Sequence, residues 1–218
     1  MYTAQRCNAA AFEAIRTQYH RGMSEADIRD TVAAAWQHVS GEVCPFSGDI
    51  VGGRRSAAIG GEATDYVLRE GDALIVDVQP FSEGLYADTT RTFFIGEPSE
   101  EQRRVYEAVI ATLSRMEAVL KPGARACDVY AEMQASFAEY GLACPHHAGH
   151  ALGSDKLLPP EFLPEVTEPL REGMFVALEP GAYIGEAFGI RVENNYRITA
   201  DGAECVFTYP LAIENFIL

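Results

Sequence analysis

Apolar positions along the chain recur with two different spacings, which predict alternating pairs of helices and strands. Four long segments carry apolar residues at helical spacing: about 4–20, 25–39, 99–120 and 126–140. Four shorter runs are apolar or alternating and are bounded by glycine or proline, as strands are: 74–78, 87–95, 175–178 and 190–198. Together these elements predict a mixed α/β fold.

Local signals indicate where three of these helices begin or end. Ser24 and Ser99 suit N-cap positions, and Gln102 follows Ser99 by three residues, which is the spacing of a capping box. Pro122 and Gly123 should end the third helix. The predicted boundaries therefore rest on capping chemistry as well as on periodicity.

The chain also repeats itself after about 100 residues. The segment LREGDALIVD at 68–77 matches LREGMFVALE at 170–179, and both end an apolar run with a carboxylate. Upstream, GMSEADI at 22–28 resembles GARACDV at 123–129, and both open a helical stretch. Two matches in the same order, at offsets of 102 and 101 residues, predict a duplicated αβ unit.

The length of 218 residues fits one large domain. The duplication divides this domain into half-repeats of roughly 1–120 and 121–218, with no linker or low-complexity segment between them. We expect each half to cover a curved sheet with helices, and the halves to meet along a pseudo-two-fold axis.

Each copy of the repeat carries two acidic residues in strand-like sequence. Asp77 and Glu179 end the apolar runs, and Asp88 and Glu193 follow them after 11 and 14 residues. Gaps of this size suit hairpins, so each hairpin should bring its two carboxylates side by side. Because an unpaired buried carboxylate costs several kcal/mol in desolvation, each one needs a partner.

Two kinds of partner are open for these acids. Arg91 and Arg191 lie close in sequence to Asp88 and Glu193, so salt bridges are one alternative. Four converging acids, however, raise one another's pKa and cannot all ionise unless cations are present. The second alternative is therefore a site for divalent metal ions.

Three histidines cluster between the two pairs of acids. His146 and His150 have the four-residue spacing of a zinc-protease helix, but His147 replaces the glutamate of that motif, and neighbouring glycines oppose a helix. One imidazole added to four carboxylates gives an oxygen-rich site for two metal ions, which favours Mn, Co, Fe or Zn. No role is assigned to His147.

Motifs of other enzyme classes are missing from the sequence. There is no GxSxG elbow of a serine hydrolase, and neither GxGxxG nor a P-loop pattern occurs. The glycine pairs at 52–53 and 60–61 are predicted to lie in a loop. These absences leave the acidic and histidine residues as the candidates for chemistry.

Charge and composition limit the partners. With 17 Lys+Arg against 32 Asp+Glu, the net charge of −15 would repel a phosphate backbone, so no nucleic-acid partner is expected. No apolar run reaches about 18 residues and the N-terminus lacks a signal-peptide pattern, so we expect no membrane contact and a cytoplasmic location. Five cysteines without a CxxC pair should be free thiols: Cys7, Cys44, Cys127, Cys144 and Cys205.

Four motifs stand in an order that resembles the superfamily of methionine aminopeptidase, aminopeptidase P, prolidase and creatinase: VDVQPFSEGLYADTTRTF, PHHAGHALG, LEPGAY and GIRVENNYRIT. The resemblance covers nearly the whole chain. It implies the pita-bread fold, an α/β (α+β) architecture of two pseudo-symmetric αβ half-domains with a curved antiparallel sheet covered by helices. It also implies two divalent metal ions, with manganese first and cobalt, zinc or iron as alternatives.

The resemblance further implies a role for each candidate ligand. Asp77 would hold one metal ion, and His150 with Glu179 would hold the other. Asp88 and Glu193 would bridge the two ions. Glu179 would in addition carry the proton of the attacking water.

Two more residues resemble catalytic groups of the prolidase, aminopeptidase P and creatinase branch. His146 lies four residues before the histidine ligand, and Arg191 lies two residues before the last acid. The chain departs from that branch because no N-terminal creatinase-type domain is expected before the catalytic unit. In addition, two imidazoles that would contact substrate or the tetrahedral intermediate are replaced by Gly60 and Leu157.

Three functions are compatible with these residues. The first is a metallohydrolase of the Xaa-Pro aminopeptidase or prolidase type, in which a metal-bound water attacks an amide bond. The second is a non-peptidase enzyme that uses the same centre on a small amide or amidine metabolite. The third is a binding-only pseudoenzyme, which the complete ligand set opposes. The expected partner is a small peptide or small molecule, with a homodimer as one option.

Overall fold

A computed structural model describes residues 1–43 and 45–218, so the expectation for Cys44 lies outside the described residues. The helices are α1 Tyr2–Gln18, α2 Glu25–Ser40, α3 Glu100–Val119 and α4 Ala126–Glu139. The strands are β1 Gly48–Gly52, β2 Ala73–Val78, β3 Phe81–Ser82, β4 Leu85–Tyr86, β5 Thr89–Phe94, β6 Gly149–Leu152, β7 Leu158–Glu161, β8 Phe175–Leu178, β9 Gly181–Ile184, β10 Phe188–Arg191, β11 Asn194–Ile198 and β12 Ala203–Cys205. All four predicted helices are confirmed.

Both predicted N-caps, Ser24 and Ser99, belong to capping boxes that hold two helix starts in place. The Ser24 hydroxyl accepts from the Asp27 backbone N–H, and the Asp27 carboxylate accepts in return from the Ser24 N–H at 2.8 Å. Ser99 and Gln102 make the same reciprocal pair at the start of α3. Each pair satisfies backbone donors that the first turn of a helix leaves without a partner.

Two antiparallel sheets carry the repeat. One has the order β1-β2-β5, and the other has the order β12-β11-β8-β6-β7, in which β6-β8-β11 corresponds to β1-β2-β5. An isolated bridge precedes the helix in each copy, Ser24 with Val67 and Arg125 with Pro169. The predicted duplication is therefore present in the backbone pairing, and we call β1-β2-β5 the first copy and β6-β8-β11 the second copy.

Two predicted strands differ from the structure. The strand expected over 190–198 is two strands, because β10 pairs with β9 whereas β11 pairs with β8, and the chain changes partners at Glu193. The strand expected over 87–95 begins only at Thr89, which leaves Asp88 outside the ladder. In both places the strand-like pattern of the sequence runs on, whereas the backbone pairing to one partner strand does not extend over the same residues.

The loop predicted around Gly52 and Gly53 is also wrong in part. Gly52 ends β1, which pairs along its length with β2, and Gly53 opens a short 3₁₀ turn to Ala58. The segment GDIVG has too few apolar or β-branched residues to signal a strand, so its pairing is set by β2 and not by its own propensity.

The helices cover the sheets and enclose a continuous apolar core. Phe12, Trp36, Phe93, Tyr106 and Phe137 are among its largest buried side chains. No helix in the described part of the chain is both long and apolar enough to span a bilayer. Three of the predicted free thiols are seen as such: Cys127, Cys144 and Cys205.

Candidate metal centre

One cavity of about 270 Å³ is lined by every site residue that the sequence predicts. They are Asp77, Asp88, His146, His150, Glu179, Arg191 and Glu193. The two copies of the repeat both contribute, because β2 and the approach to β5 supply the first two acids and the second copy supplies the rest. The strand ends thus bring together residues up to 116 positions apart in the sequence.

His150 lies close to acidic residues from both copies of the repeat. His150 Nε2 lies 3.5 Å from Asp88 Oδ2 and 3.6 Å from Glu179 Oε1. One ligand atom each from Asp88, His150 and Glu193 lies within 4.8 Å of the others, and all three residues are buried. This spacing suits a cation held between them.

The donor chemistry of the cavity fits divalent cations. Each of the four acids has one buried oxygen that receives no hydrogen bond from the described residues: Asp77 Oδ1, Asp88 Oδ1, Glu179 Oε1 and Glu193 Oε1. An ionised carboxylate only accepts, and a buried acceptor left alone is costly. Hard oxygen donors of this kind are ligands for ions such as manganese.

The orientation of the His150 ring agrees with a ligand role. His150 Nδ1 lies 3.0 Å from the Ala151 carbonyl oxygen, which can only accept, so Nδ1 carries the proton. The lone pair of Nε2 therefore points into the cavity towards the acids. Metal-binding histidines commonly donate their other ring N–H in this way.

The pKa values of the four acids are not all shifted in the same direction. Burial, followed by the charges of Asp88 and Glu179, raises the pKa of Glu193 well above its ordinary value. Burial also raises the pKa of Asp88 well above its ordinary value, and the charges of Asp77 and Glu179 add to this. Protons or cations must therefore compensate the charge in this cavity.

Glu179 behaves in the opposite way. Burial alone would raise its pKa, but the imidazoles of His147, His150 and His146, together with the charge of Arg191, outweigh burial and lower the pKa. Glu179 is thus ionised at neutral pH. A carboxylate in this state can accept a proton, which is the role predicted for it.

Arg191 pairs with Asp77 and not with Glu193. Its Nη2 donates to Asp77 Oδ2 at 2.7 Å, while Nη1 donates to the Tyr183 hydroxyl at 3.0 Å. Because that hydroxyl accepts from Arg191, its own proton points to His146 Nε2, 2.9 Å away. A hydrogen-bonded chain thus joins Asp77 to His146.

The salt-bridge alternative is wrong for Asp88 and Glu193. Among the described residues, no lysine or arginine side-chain nitrogen comes within 4.0 Å of a carboxylate oxygen of Asp88 or Glu193. Arg91 instead donates to the backbone oxygen of Glu193 at 2.7 Å and lies between aromatic rings. Burial lowers the pKa of Arg91 to about 10, so it remains charged without neutralising an acid.

Comparison with known proteins identifies the family. Residues 1–200 match the profile of the metallopeptidase family M24. The chain belongs to this family. The predicted superfamily is confirmed.

Individual M24 relatives agree in fold and in sequence. The Xaa-Pro dipeptidase of Pyrococcus furiosus is 31% identical over 185 residues, which is 84% of this chain and 53% of that protein. The X-Pro aminopeptidase structure from Thermotoga maritima superposes with a TM-score of 0.94 at 28% identity, covering 100% of this chain and 61% of that one. The prolidase structure from Pyrococcus furiosus gives 0.91 at 28% identity, covering 96% and 63%.

These matches confirm the pita-bread fold that the resemblance implied. The chain spans about half the length of the curated relatives it matches, such as 53% of the Pyrococcus dipeptidase. The similarity therefore applies to the part of the relatives that corresponds to this chain, and this chain holds the cavity. The ligand and catalytic roles assigned from the sequence stay predictions.

Both positions that lack the expected imidazole lie at the cavity or beside it. Leu157 lines the cavity and is 45% exposed. At Gly60, a Cβ atom would meet Asp49 Oδ2 at 2.1 Å, so a side chain there would require the Asp49 carboxylate to move. Asp49 also lines the cavity and faces Asp77 across β1 and β2.

Three residues of this region were not found from the sequence. His147 Nε2 lies 3.5 Å from Glu179 Oε1, although only its place in the HHxxH segment hinted at a role. Tyr183 stood in the LEPGAY motif but carried no separate signal. Asp49 was missed because no strand was predicted over the segment that forms β1.

The raised pKa values predict how stability depends on pH. For Asp88 and Glu193, the folded pKa exceeds the unfolded value of about 4. Their contribution to folding is therefore present below that value and is lost as pH rises through the folded pKa. Without cations, the free energy of unfolding should therefore fall as the pH rises through the folded pKa values of these two acids. Saturating Mn²⁺ should remove this fall, because cations bind the deprotonated acids.

Denaturant unfolding in EDTA and in Mn²⁺, across a pH series, measures this effect. Asp88→Asn should flatten part of the slope in EDTA. Identical pH profiles with and without Mn²⁺ would contradict the prediction.

Proposed function

We propose that this chain is a dinuclear metal-dependent hydrolase that cleaves the amide bond of small Xaa-Pro peptides. The observation that carries the proposal is the set of four buried acids around His150, each with an oxygen that accepts no hydrogen bond from residues 1–43 and 45–218. The names of the M24 relatives, Xaa-Pro dipeptidase and X-Pro aminopeptidase, support the substrate class.

We propose the ligand sets that the sequence implied. Asp77 would hold one ion, His150 and Glu179 would hold the other, and Asp88 and Glu193 would be shared by both. Manganese is our first choice, with cobalt, zinc or iron as alternatives, because most donors are oxygen atoms. Such ions, when bound, activate a water and polarise the amide carbonyl.

The protein groups divide the remaining work. Glu179, ionised at neutral pH, takes the proton of the attacking water and returns it to the leaving amine. Arg191 engages only Oδ2 of Asp77, so Oδ1 remains available as a ligand atom. In this proposal Glu179 transfers the proton, and Arg191 leaves one Asp77 oxygen free for a cation.

His146 acts in this proposal as a positioning residue. Its Nδ1 donates to the His147 carbonyl at 2.8 Å and its Nε2 accepts from Tyr183, so neither nitrogen is left for substrate while Tyr183 stays in place. Burial lowers the pKa of His146 to about 4, so the ring is neutral at pH 7 and keeps this orientation.

A second candidate is hydrolysis of a small amide or amidine that is not a peptide. Leu157 and Asp49 favour it, because an apolar group and a carboxylate line the cavity where imidazole donors were expected.

We also propose that residues 1–218 form a single domain with a division near residue 120. A homodimer and a cytoplasmic location are further proposals.

Removal of metal tests the proposed centre directly. A cation present at 100 times its Kd stabilises the folded state by about 2.7 kcal/mol, which corresponds to roughly 5–10 °C in melting temperature for a chain of this size. We expect excess EDTA to lower the melting temperature by this amount, and Mn²⁺ or Co²⁺ to restore it.

Elemental analysis and a substrate panel complete the test. The panel contains Xaa-Pro dipeptides, Xaa-Pro tripeptides and simple amides, each assayed with Mn²⁺, Co²⁺, Zn²⁺ and Fe²⁺. Turnover of the amides alone would favour the second candidate. If no metal is bound and the melting curve is unchanged in EDTA, both candidate functions are refuted.

A further inference from the structure

One side-chain amide holds the backbone of a predicted metal ligand from both sides. The Asn195 Oδ1 atom accepts from the Asp88 backbone N–H at 3.1 Å, and Asn195 Nδ2 donates to the Asp88 carbonyl oxygen. Asn195 is fully buried and Asp88 is 4% exposed. The amide thus takes the place that a neighbouring strand would take in a sheet.

Asp88 needs such a partner because it lies outside the ladder. It falls between β4 and β5, and pairing of β5 with β2 begins only at Thr89. Since buried backbone groups are almost always hydrogen-bonded, these two groups require donors and acceptors from elsewhere. Asn195 supplies both with one rigid group.

A third residue fixes the amide itself. Gln5 of α1 donates from Nε2 to the same Asn195 Oδ1 atom, and Gln5 is 5% exposed. With its oxygen facing two N–H donors, the Asn195 amide has one allowed orientation. The first turn of α1 is thereby connected to the backbone of Asp88.

The second copy receives a matching contact from the first. Thr90 Oγ1 donates to Glu193 Oε2 at 2.9 Å, and the Glu193 backbone N–H donates to the Thr90 carbonyl oxygen at 3.0 Å. Each predicted bridging acid is therefore held by a residue of the other copy. In both cases one carboxylate oxygen, Asp88 Oδ1 or Glu193 Oε1, receives no hydrogen bond from the described part of the chain.

We propose that Asn195 is a positioning residue that sets the place of the Asp88 carboxylate between the two cations, and that Gln5 keeps Asn195 in the orientation this requires. The proposal rests on the dinuclear site proposed above. Because the amide holds the backbone and leaves the carboxylate free, it positions the ligand without competing for its oxygen atoms.

The variant that tests this is Asn195→Leu, which keeps the size of the side chain and removes both hydrogen bonds to Asp88 together with the one from Gln5. Loss of an outer partner of a metal ligand typically weakens metal affinity by about 10- to 100-fold. We expect isothermal titration with Mn²⁺ to show a loss of this size at one or both sites. The visible spectrum of the Co²⁺ form should change as well, because the ligand geometry changes.

Thr112→Val is the matched control. It removes a buried hydrogen bond between α3 and α4, where the Thr112 and Ser136 hydroxyl oxygens lie 2.8 Å apart. This variant should lose stability, yet bind Mn²⁺ with unchanged affinity and give an unchanged Co²⁺ spectrum. A stability effect alone is thereby separated from a positioning effect.

The outcomes are distinct. Unchanged Mn²⁺ affinity and an unchanged Co²⁺ spectrum in folded Asn195→Leu would overturn the positioning role while the dinuclear site stands. If Asn195→Leu does not fold, Gln5→Leu decides, because wild-type affinity in that variant would also overturn the proposal. Failure of the wild-type protein to bind any divalent cation would instead refute the proposed function.

Discussion

Glu179→Gln should lower kcat on any substrate that the protein hydrolyses by about 10²- to 10⁴-fold, the usual contribution of a general acid–base group. The amide keeps an oxygen that can bind a cation but cannot accept the proton of the attacking water. The neighbouring imidazoles that hold the pKa of Glu179 low make the wild-type residue an ionised acceptor at neutral pH. The measurement is kcat and KM for the variant at saturating Mn²⁺, with its metal content determined in parallel.

Glu161→Gln is the matched control for this variant. Glu161 pairs with His150 across β6 and β7 but is not among the residues that line the cavity. It should retain wild-type kcat. A Glu179→Gln protein with two bound cations and undiminished kcat would show that another group carries the proton.

The second large effect is a gain of function. Leu157→His should raise turnover of Xaa-Pro dipeptides by about 10²- to 10³-fold, because one donor to a developing oxyanion is worth that much. Leu157 is partly exposed at the cavity, so an imidazole fits there without displacing the core. Leu157→Phe supplies a ring without a donor and should give no gain.

The other missing imidazole should not be restored by a single change. A side chain at Gly60 would collide with the Asp49 carboxylate, so Gly60→His should give no gain unless Asp49 is also shortened, as in Asp49→Gly. Kinetics of the single and double variants on one Xaa-Pro dipeptide compare these cases. Substantial turnover by the wild-type protein would mean that neither imidazole is needed.

Much of the fold follows from periodicity and capping. The helices that begin after Ser24 and Ser99 were predictable because a reciprocal side-chain pair marks each start. The strand ending near Asp77 was predictable because it is buried on both faces and so carries an unbroken apolar run. β1 was not, because its glycines owe their strand conformation to pairing with β2.

The site was predictable to the extent that its residues interrupt apolar strands. Asp77 and Glu179 stand out because charge is costly where they lie. Asn195 did not stand out, since an asparagine near the end of a strand is common and its partner Asp88 lies 107 residues away. Arg191 was placed near Glu193 by sequence distance, whereas the pairing with Asp77 depends on how the two copies face each other.

The contacts between the two copies also determine when the centre can form. Thr90 and Thr92 of β5 bond to residues 103 and 99 positions further along the chain, Glu193 and Arg191. Contacts of such long sequence separation must close a large loop and form slowly. During synthesis, Asp77 and Asp88 therefore emerge long before the residues that complete their surroundings. In the centre proposed above, capture of cations would therefore be a late event in folding, after the two copies have docked.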